Sequence, residues 1–197
     1  MGFELVGQAW DVEAFEGYIS DINLSWADSV TVHHTAAPSL AQRPDGFTLQ
    51  HMRNIAHYYQ TQLGWSASPH LFTDEDEVYG MSSLWRRGIH ARSFNSHSIG
   101  IEMLGNYDSE SPSSGRGLDV IETTAQVVAA LLRRMKLLAT DKTILFHRDD
   151  PKTSKTCPGS LINKGWFIGK VQGYMDDAPT MTIEQRLARL ERLAGLA

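Results

Sequence analysis

The chain has 197 residues, 42% of them hydrophobic and 21% charged, which suits one globular domain and excludes a disordered chain. A formal net charge of −5 with no long basic run leaves no electrostatic footprint for nucleic acid. A single cysteine excludes an internal disulfide, and no stretch of about 18 apolar residues is available to span a bilayer.

The amino terminus, Met1 to Trp10, lacks a basic segment followed by an apolar run, so a cleaved export leader is not expected and synthesis in a reducing cytoplasm is. Residues 1 to 28 carry a weak pattern, with a short helix suggested around Asp11 to Tyr18. Residues 30 to 34 alternate β-branched and polar side chains, a strand that should deliver His33 and His34 to opposite faces at its carboxyl end. Two prolines, a glycine and an aspartate make Ala36 to Gly46 a loop. Thr48 can then cap a helix running to about Gln62, whose Leu49, Met52, Ile55, Ala56 and Tyr59 follow the 3-4 spacing, with Gly64 ending it. Residues 70 to 73 and 77 to 79 read as a hairpin around the acidic turn Asp74-Glu75-Asp76.

A loop from Trp85 to His97 leads into Ser98 to Leu104, which reads as a central strand interrupted by Glu102. The Ser, Gly, Pro and Asp composition of Asn106 to Leu118 predicts a mobile surface loop of the kind that borders clefts. A long helix is expected from Thr123 or Thr124 to about Ala139, with Val127, Val128, Leu131, Leu132, Met135 and Leu138 on its buried side. Thr143 to Phe146 is the next strand. Past Trp166 and Phe167 the apolar density falls, and a tail begins near Asp176. Thr182 to Ala194 forms a terminal helix with one apolar stripe.

The chemistry concentrates at two places. The run His147 to Pro158 sets the lone cysteine, Cys157, in a polar Lys-Thr-Cys-Pro loop downstream of a histidine that ends an apolar run, and His33-His34 end another such run far upstream. Imidazole and thiolate are ligands that Zn²⁺ accepts tetrahedrally, and three of them leave one position open to water, whose pKa the metal lowers to about 7. A His, His, Cys site assembled by the fold is therefore expected, with either His33 or His34 supplying the first ligand. A hydrolase of this kind also needs a general base and a donor to the developing oxyanion. Glu102, costly to bury unpaired in an apolar strand, and Lys155, two residues before the thiolate, are the candidates. His51 and His57 fall on the first helix, and His70, His90 and His97 read as structural or groove residues, since three ligands already complete an open site.

Val32-His33-His34-Thr35-Ala36, Asn95 to Gly100, and His147 with Lys155-Thr156-Cys157-Pro158 occur in an order that resembles the zinc-dependent N-acetylmuramoyl-L-alanine amidases, a family including phage endolysins and peptidoglycan recognition proteins. The resemblance covers roughly Val30 to Phe167. It implies an α/β fold with a mixed central sheet flanked by helices, and Zn²⁺ at the floor of a groove that takes the glycan strand and stem peptide of peptidoglycan. It implies His33, His147 and Cys157 as metal ligands, Lys155 near the oxyanion, and Glu102, within Ser98-Ile99-Gly100-Ile101-Glu102, as the base. The tyrosine that some members use before a His-Phe pair has no counterpart, because Pro69 precedes His70 and Leu71 intervenes before Phe72. His34, His70, His90 and Asn95 fall where substrate contacts are expected, with Gly88 to Ala91 resembling a groove wall.

These readings divide the chain into a catalytic domain over 1–177 and a carboxyl-terminal amphipathic helix over 178–197 that packs on its own domain or mediates self-association. The setting expected is that of a compact endolysin, made in the host cytoplasm and acting on the wall after release. A cytoplasmic amidase that recycles wall fragments is the rival enzyme, disfavoured because such recyclers usually place Asp where Cys157 stands. A peptidoglycan-binding module without hydrolysis is the non-enzymatic rival, disfavoured by the presence of all three ligands.

Overall fold

The computed structural model describes residues 3–176. The terminal helix expected over 182–194 lies outside them.

Among the described residues six strands form one mixed sheet: β1 (Ala9–Trp10), β2 (Ser29–His34), β3 (Leu71–Thr73), β4 (Val78–Gly80), β5 (Ser98–Met103) and β6 (Ile144–Phe146), in the spatial order β1-β4-β3-β5-β2-β6. β5 runs parallel to both β3 and β2, and β2 runs parallel to β6, while the β3–β4 hairpin and the short β1 add antiparallel pairs. The parallel centre is buried on both faces, which is why β2 and β5 carry few residues that water could reach.

Alternation along the strands gives the two faces different work. Val30, Val32, Ile99, Ile101, Met103 and Leu71 are fully or almost fully buried in the main core with helix α3 (Gly115–Met135), helix α1 (Val12–Ile19) and helix α4 (Lys164–Asp176). The opposite face carries Thr31, His33, Ser98 and Glu102. On its far side Phe72 and Tyr79 pack with Met52 and Ala56 of helix α2 (Leu49–Thr61). Parallel register sets His33 directly across from Glu102, so one level of that face presents an imidazole beside a carboxyl. Below that level Thr31 and Ser98 share a diagonal 2.7 Å hydroxyl bond, so these polar groups deeper in the sheet are satisfied internally.

Local signals explain the helix starts. Asp11 Oδ1 accepts from Ala14 N–H at 2.7 Å to cap α1, and Thr48 Oγ1 accepts from His51 N–H at 3.2 Å to cap α2. Two boundaries differ from the sequence reading. Helix α3 begins at Gly115 rather than at Thr123 or Thr124, because its first turn is pressed onto the preceding loop: a Cβ at Gly117 would stand 2.1 Å from the Ser111 carbonyl oxygen. Gly117, which composition assigns to a loop, thus permits a close helix-to-loop contact. The helix also stops early, at a left-handed Lys136 with φ 59°, which leaves Leu138 77% exposed instead of buried. Helix α4 occupies the region where apolar density falls in the sequence. Gly165, Gly169 and Gly173 dilute its pattern, yet Phe167 and Val171, one turn apart, are fully buried against the core.

Candidate metal centre and cleft

His33, the penultimate residue of β2, projects onto the sheet face that Glu102 shares. His147 begins a single 3-10 turn (His147–Asp149) immediately after β6, and the chain then returns through residues 150–156 to Cys157. Two side chains anchor this excursion. The Arg148 guanidinium donates to the carbonyls of Gly159 and Ile162, each at 2.7 Å, and Arg148 N–H donates to the Cys157 carbonyl at 2.8 Å. Asp108 accepts from Thr156 Oγ1 at 2.8 Å and from Ser160 N–H at 2.7 Å. Gly159 completes the anchor: its φ is +116°, and a Cβ there would stand 2.5 Å from the Tyr107 backbone. The cysteine loop is therefore held from both sides, by Arg148 next to one ligand and by the Tyr107-Asp108 segment.

The three side chains converge. His33 Nδ1 lies 3.1 Å from His147 Nδ1 and 3.7 Å from Cys157 Sγ, and the three donor atoms all fall within 4.8 Å of one another. A tetrahedral Zn²⁺ with bonds of about 2.0–2.1 Å to nitrogen and about 2.3 Å to sulfur would separate its donors by about 3.3 Å (N to N) and about 3.6 Å (N to S). The two distances from His33 lie within about 0.2 Å of those edges, and the His147-to-Cys157 span is within 4.8 Å, so this donor set can close around such an ion. The sulfur has a further partner in His34 N–H, which points at it from 3.4 Å.

Electrostatics of the cluster follow from burial. Burial, followed by repulsion from His90, His147 and the Lys155 ammonium, holds His33 well below the usual imidazole range, and burial with Lys155 lowers His147. Both rings are neutral near pH 7, the state in which imidazole can donate a lone pair. Burial, reinforced by Glu102, pushes the Cys157 thiol up, so without a cation the sulfur keeps its proton and a binding metal must displace it. Burial pushes the Glu102 carboxyl up to about 8, with Lys155 pulling it back.

A cavity of about 590 Å³ opens over this floor. Its lining includes His33, His147, Cys157, Glu102, Lys155, His34 and His90, so seven of the nine residues singled out in the sequence meet at one place. His70 and Asn95 are not part of that lining. His70 is fully buried; its Nδ1 accepts from Gly100 N–H at 2.9 Å and its Nε2 donates to the Arg86 carbonyl at 3.0 Å. Asn95 Oδ1 accepts from the N–H groups of His90 and Ala91, both at 2.8 Å, and so closes the loop that carries His90. His34 points away from the donor cluster: Tyr107 N–H donates to its Nδ1 at 3.1 Å, and its Nε2 faces Asp108 at 3.9 Å.

One wall of the cavity was not read from the sequence. Tyr58 and Tyr59, in the last turn of α2, line it together with Trp65, which stacks on Tyr59 with ring centroids 5.1 Å apart. Tyr58 is 52% exposed. The usable signal was the pair of adjacent tyrosines just before the helix end with a tryptophan immediately after Gly64, an aromatic cluster larger than the amphipathic pattern of α2 requires.

Comparison with known proteins agrees with this geometry. The N-acetylmuramoyl-L-alanine amidase family matches residues 24–160, more than half of the chain. A pig N-acetylmuramoyl-L-alanine amidase is 26% identical over 134 residues, 66% of this chain but 21% of that protein. Peptidoglycan-recognition protein SC2 of Drosophila simulans is 31% identical over 94 residues, 47% of this chain and 50% of its own length. The chain thus spans half or less of these two curated relatives. Among solved structures, N-acetylmuramoyl-L-alanine amidase LysC from Clostridium intestinale superposes with a TM-score of 0.57 at 18% identity, covering 87% of this chain and 94% of that one, which establishes a shared fold. With the matched segment spanning both histidine strands and the cysteine loop, the chain belongs to the N-acetylmuramoyl-L-alanine amidase family.

Proposed function

We propose that this protein is a zinc hydrolase that cleaves the amide between the lactyl group of N-acetylmuramic acid and L-alanine in peptidoglycan. The observation that carries the reading is the convergence of His33, His147 and Cys157 donor atoms within 4.8 Å of one another beneath an open cavity that also holds Glu102 and Lys155. Zn²⁺ on those three donors would supply Lewis acidity and a water acidified toward neutrality. In its ionised form, which the Lys155 ammonium favours, Glu102 takes the proton of the attacking water as oxygen adds to the carbonyl carbon, then gives it to the nitrogen of L-alanine as the C–N bond breaks, so protons balance across the step. The Lys155 ammonium, at the exposed rim, faces the carbonyl oxygen as negative charge develops on it. The aromatic wall of Tyr58, Tyr59 and Trp65 offers flat apolar faces on which a pyranose ring can lie.

The biological setting we propose is wall lysis by a phage or prophage endolysin. The amidase fold shared with solved endolysins such as the Clostridium intestinale LysCS amidase supports it. The presence of all three donors favours hydrolysis over a binding-only role. The test is digestion of purified cell wall with zinc-loaded and chelated protein. New L-alanine amino termini should appear only with zinc, and their absence from the loaded digest would overturn the reading.

A further inference from the structure

Three imidazoles, not two, are linked at the floor of the cavity, and the third is tied to the backbone. His90 Nε2 lies 3.0 Å from the Ser98 carbonyl oxygen, and His90 Nδ1 lies 3.1 Å from His33 Nε2. A carbonyl can only accept, so His90 Nε2 carries the hydrogen. A neutral imidazole carries a single N–H, which leaves His90 Nδ1 bare, and His33 Nε2 must then donate to it. Neutral His33 has in turn no hydrogen on Nδ1, the atom 3.1 Å from His147 Nδ1 and 3.7 Å from Cys157 Sγ.

We propose that His90 is a positioning residue for the metal ligand His33: docked on the Ser98 carbonyl, it fixes the His33 tautomer and ring plane so that the Nδ1 lone pair faces the metal site. The inference rests on the metal reading given above. It also explains residues that the cavity does not use. A Cβ at Gly100 would stand 2.5 Å from His90 Cγ, so the ring lies against β5 only because that strand position is glycine. Asn95 holds the His90 backbone through two N–H bonds. His70, bonded to Gly100 N–H, lies edge-on to His90 with ring centroids 5.9 Å apart, and a Cβ at Gly88 would stand 2.7 Å from His70 Cε1. Gly88, His70, Asn95 and Gly100 are thus a supporting layer for His90, and His90 for His33. Outer partners of this type, which set the tautomer and orientation of a ligating imidazole, alter metal affinity by roughly 10- to 100-fold when removed.

The experiment uses the full chain stripped of metal. Zn²⁺ affinity is measured by competition with a chromophoric chelator, and the protonated nitrogen of each imidazole by long-range ¹⁵N–¹H NMR. His90→Phe, which keeps a ring but offers no acceptor, should raise the Zn²⁺ Kd roughly 10- to 100-fold. His90→Asn, whose Oδ1 can replace Nδ1 as acceptor, should recover most of that loss. In metal-free wild type His33 should be protonated on Nε2, and His90→Phe should shift the population toward Nδ1–H. A wild type that binds Zn²⁺ tightly together with a His90→Phe Kd within twofold of it overturns the inference and leaves the proposed activity intact. A wild type that binds no Zn²⁺ sinks the proposed activity instead. Finding His33 protonated on Nδ1 in wild type overturns the inference even if no variant folds.

Discussion

Replacing Glu102 with glutamine should make the metal-free protein more stable at alkaline pH while making the loaded enzyme slower. The carboxyl sits on the cavity floor, and its pKa is pushed from 4.5 to about 8 by burial, with Lys155 opposing. Below about pH 4.5 the group is neutral in folded and unfolded chains alike, so it costs nothing. Between 4.5 and 8 the unfolded chain ionises while the folded one resists, so wild type loses stability as pH rises, and above 8 the loss is complete. At about 1.4 kcal/mol per pH unit the ceiling is on the order of 4 to 5 kcal/mol, and water reaching the open cavity brings the expected loss to about 2 kcal/mol. Glutamine is neutral throughout and escapes it.

The assay is urea denaturation of chelated wild type and Glu102→Gln at pH 5 and pH 8.5. The imidazoles titrate in both proteins, so the difference between them isolates Glu102. The variant's advantage should grow by about 2 kcal/mol between the two pH values. In the zinc-loaded enzyme the same substitution should lower kcat by roughly 10² or more, the scale of a lost general base. A stability difference that does not change with pH would refute the argument that burial raises this carboxyl, and near-normal turnover would reassign the base.

Cys157→Ala should abolish hydrolysis and lower bound zinc while leaving the far-ultraviolet circular dichroism near that of wild type, since a catalytic metal adds less to folding than a structural one. Lys155→Met should cut kcat by about 10²-fold. It should also move the acidic limb of kcat/KM to higher pH, because the charge that opposes burial at Glu102 is gone; an unmoved limb would separate the two groups electrostatically. Gly159→Ala forces a side chain into a φ of +116° and against Tyr107, so denaturation should show a loss of at least about 1–3 kcal/mol, and zinc affinity should fall as the Cys157 loop shifts.

Elements with a strong local hydrophobic pattern or cap were legible in the sequence. The strand ending in His33-His34, the capped helix after Thr48, the acidic hairpin and the strand around Glu102 all form near the expected residues, because alternation and capping are local properties. Where glycines crowded the first turn of a helix or recurred along it, the reading failed. Gly115 and Gly117 disguised the first turn of α3, and three glycines disguised α4, since glycine lowers helix propensity; at Gly117 the missing side chain also permits the close approach to Ser111.

At the site, residue types alone pointed to imidazole, thiolate, carboxylate and ammonium as the chemistry, because few other combinations of this chain's groups can hold a metal and move a proton. What sequence could not decide was which of two adjacent histidines faces inward, which nitrogen it presents, and what holds it. Those depend on the parallel register that sets His33 across from Glu102, and on a hydrogen-bonded chain through His90 to the Ser98 carbonyl, made by residues 57 and 8 positions apart. Local pattern determines which side chains exist at a strand end. Only tertiary packing determines the direction in which a lone pair points, because that direction is set by partners distant in the chain.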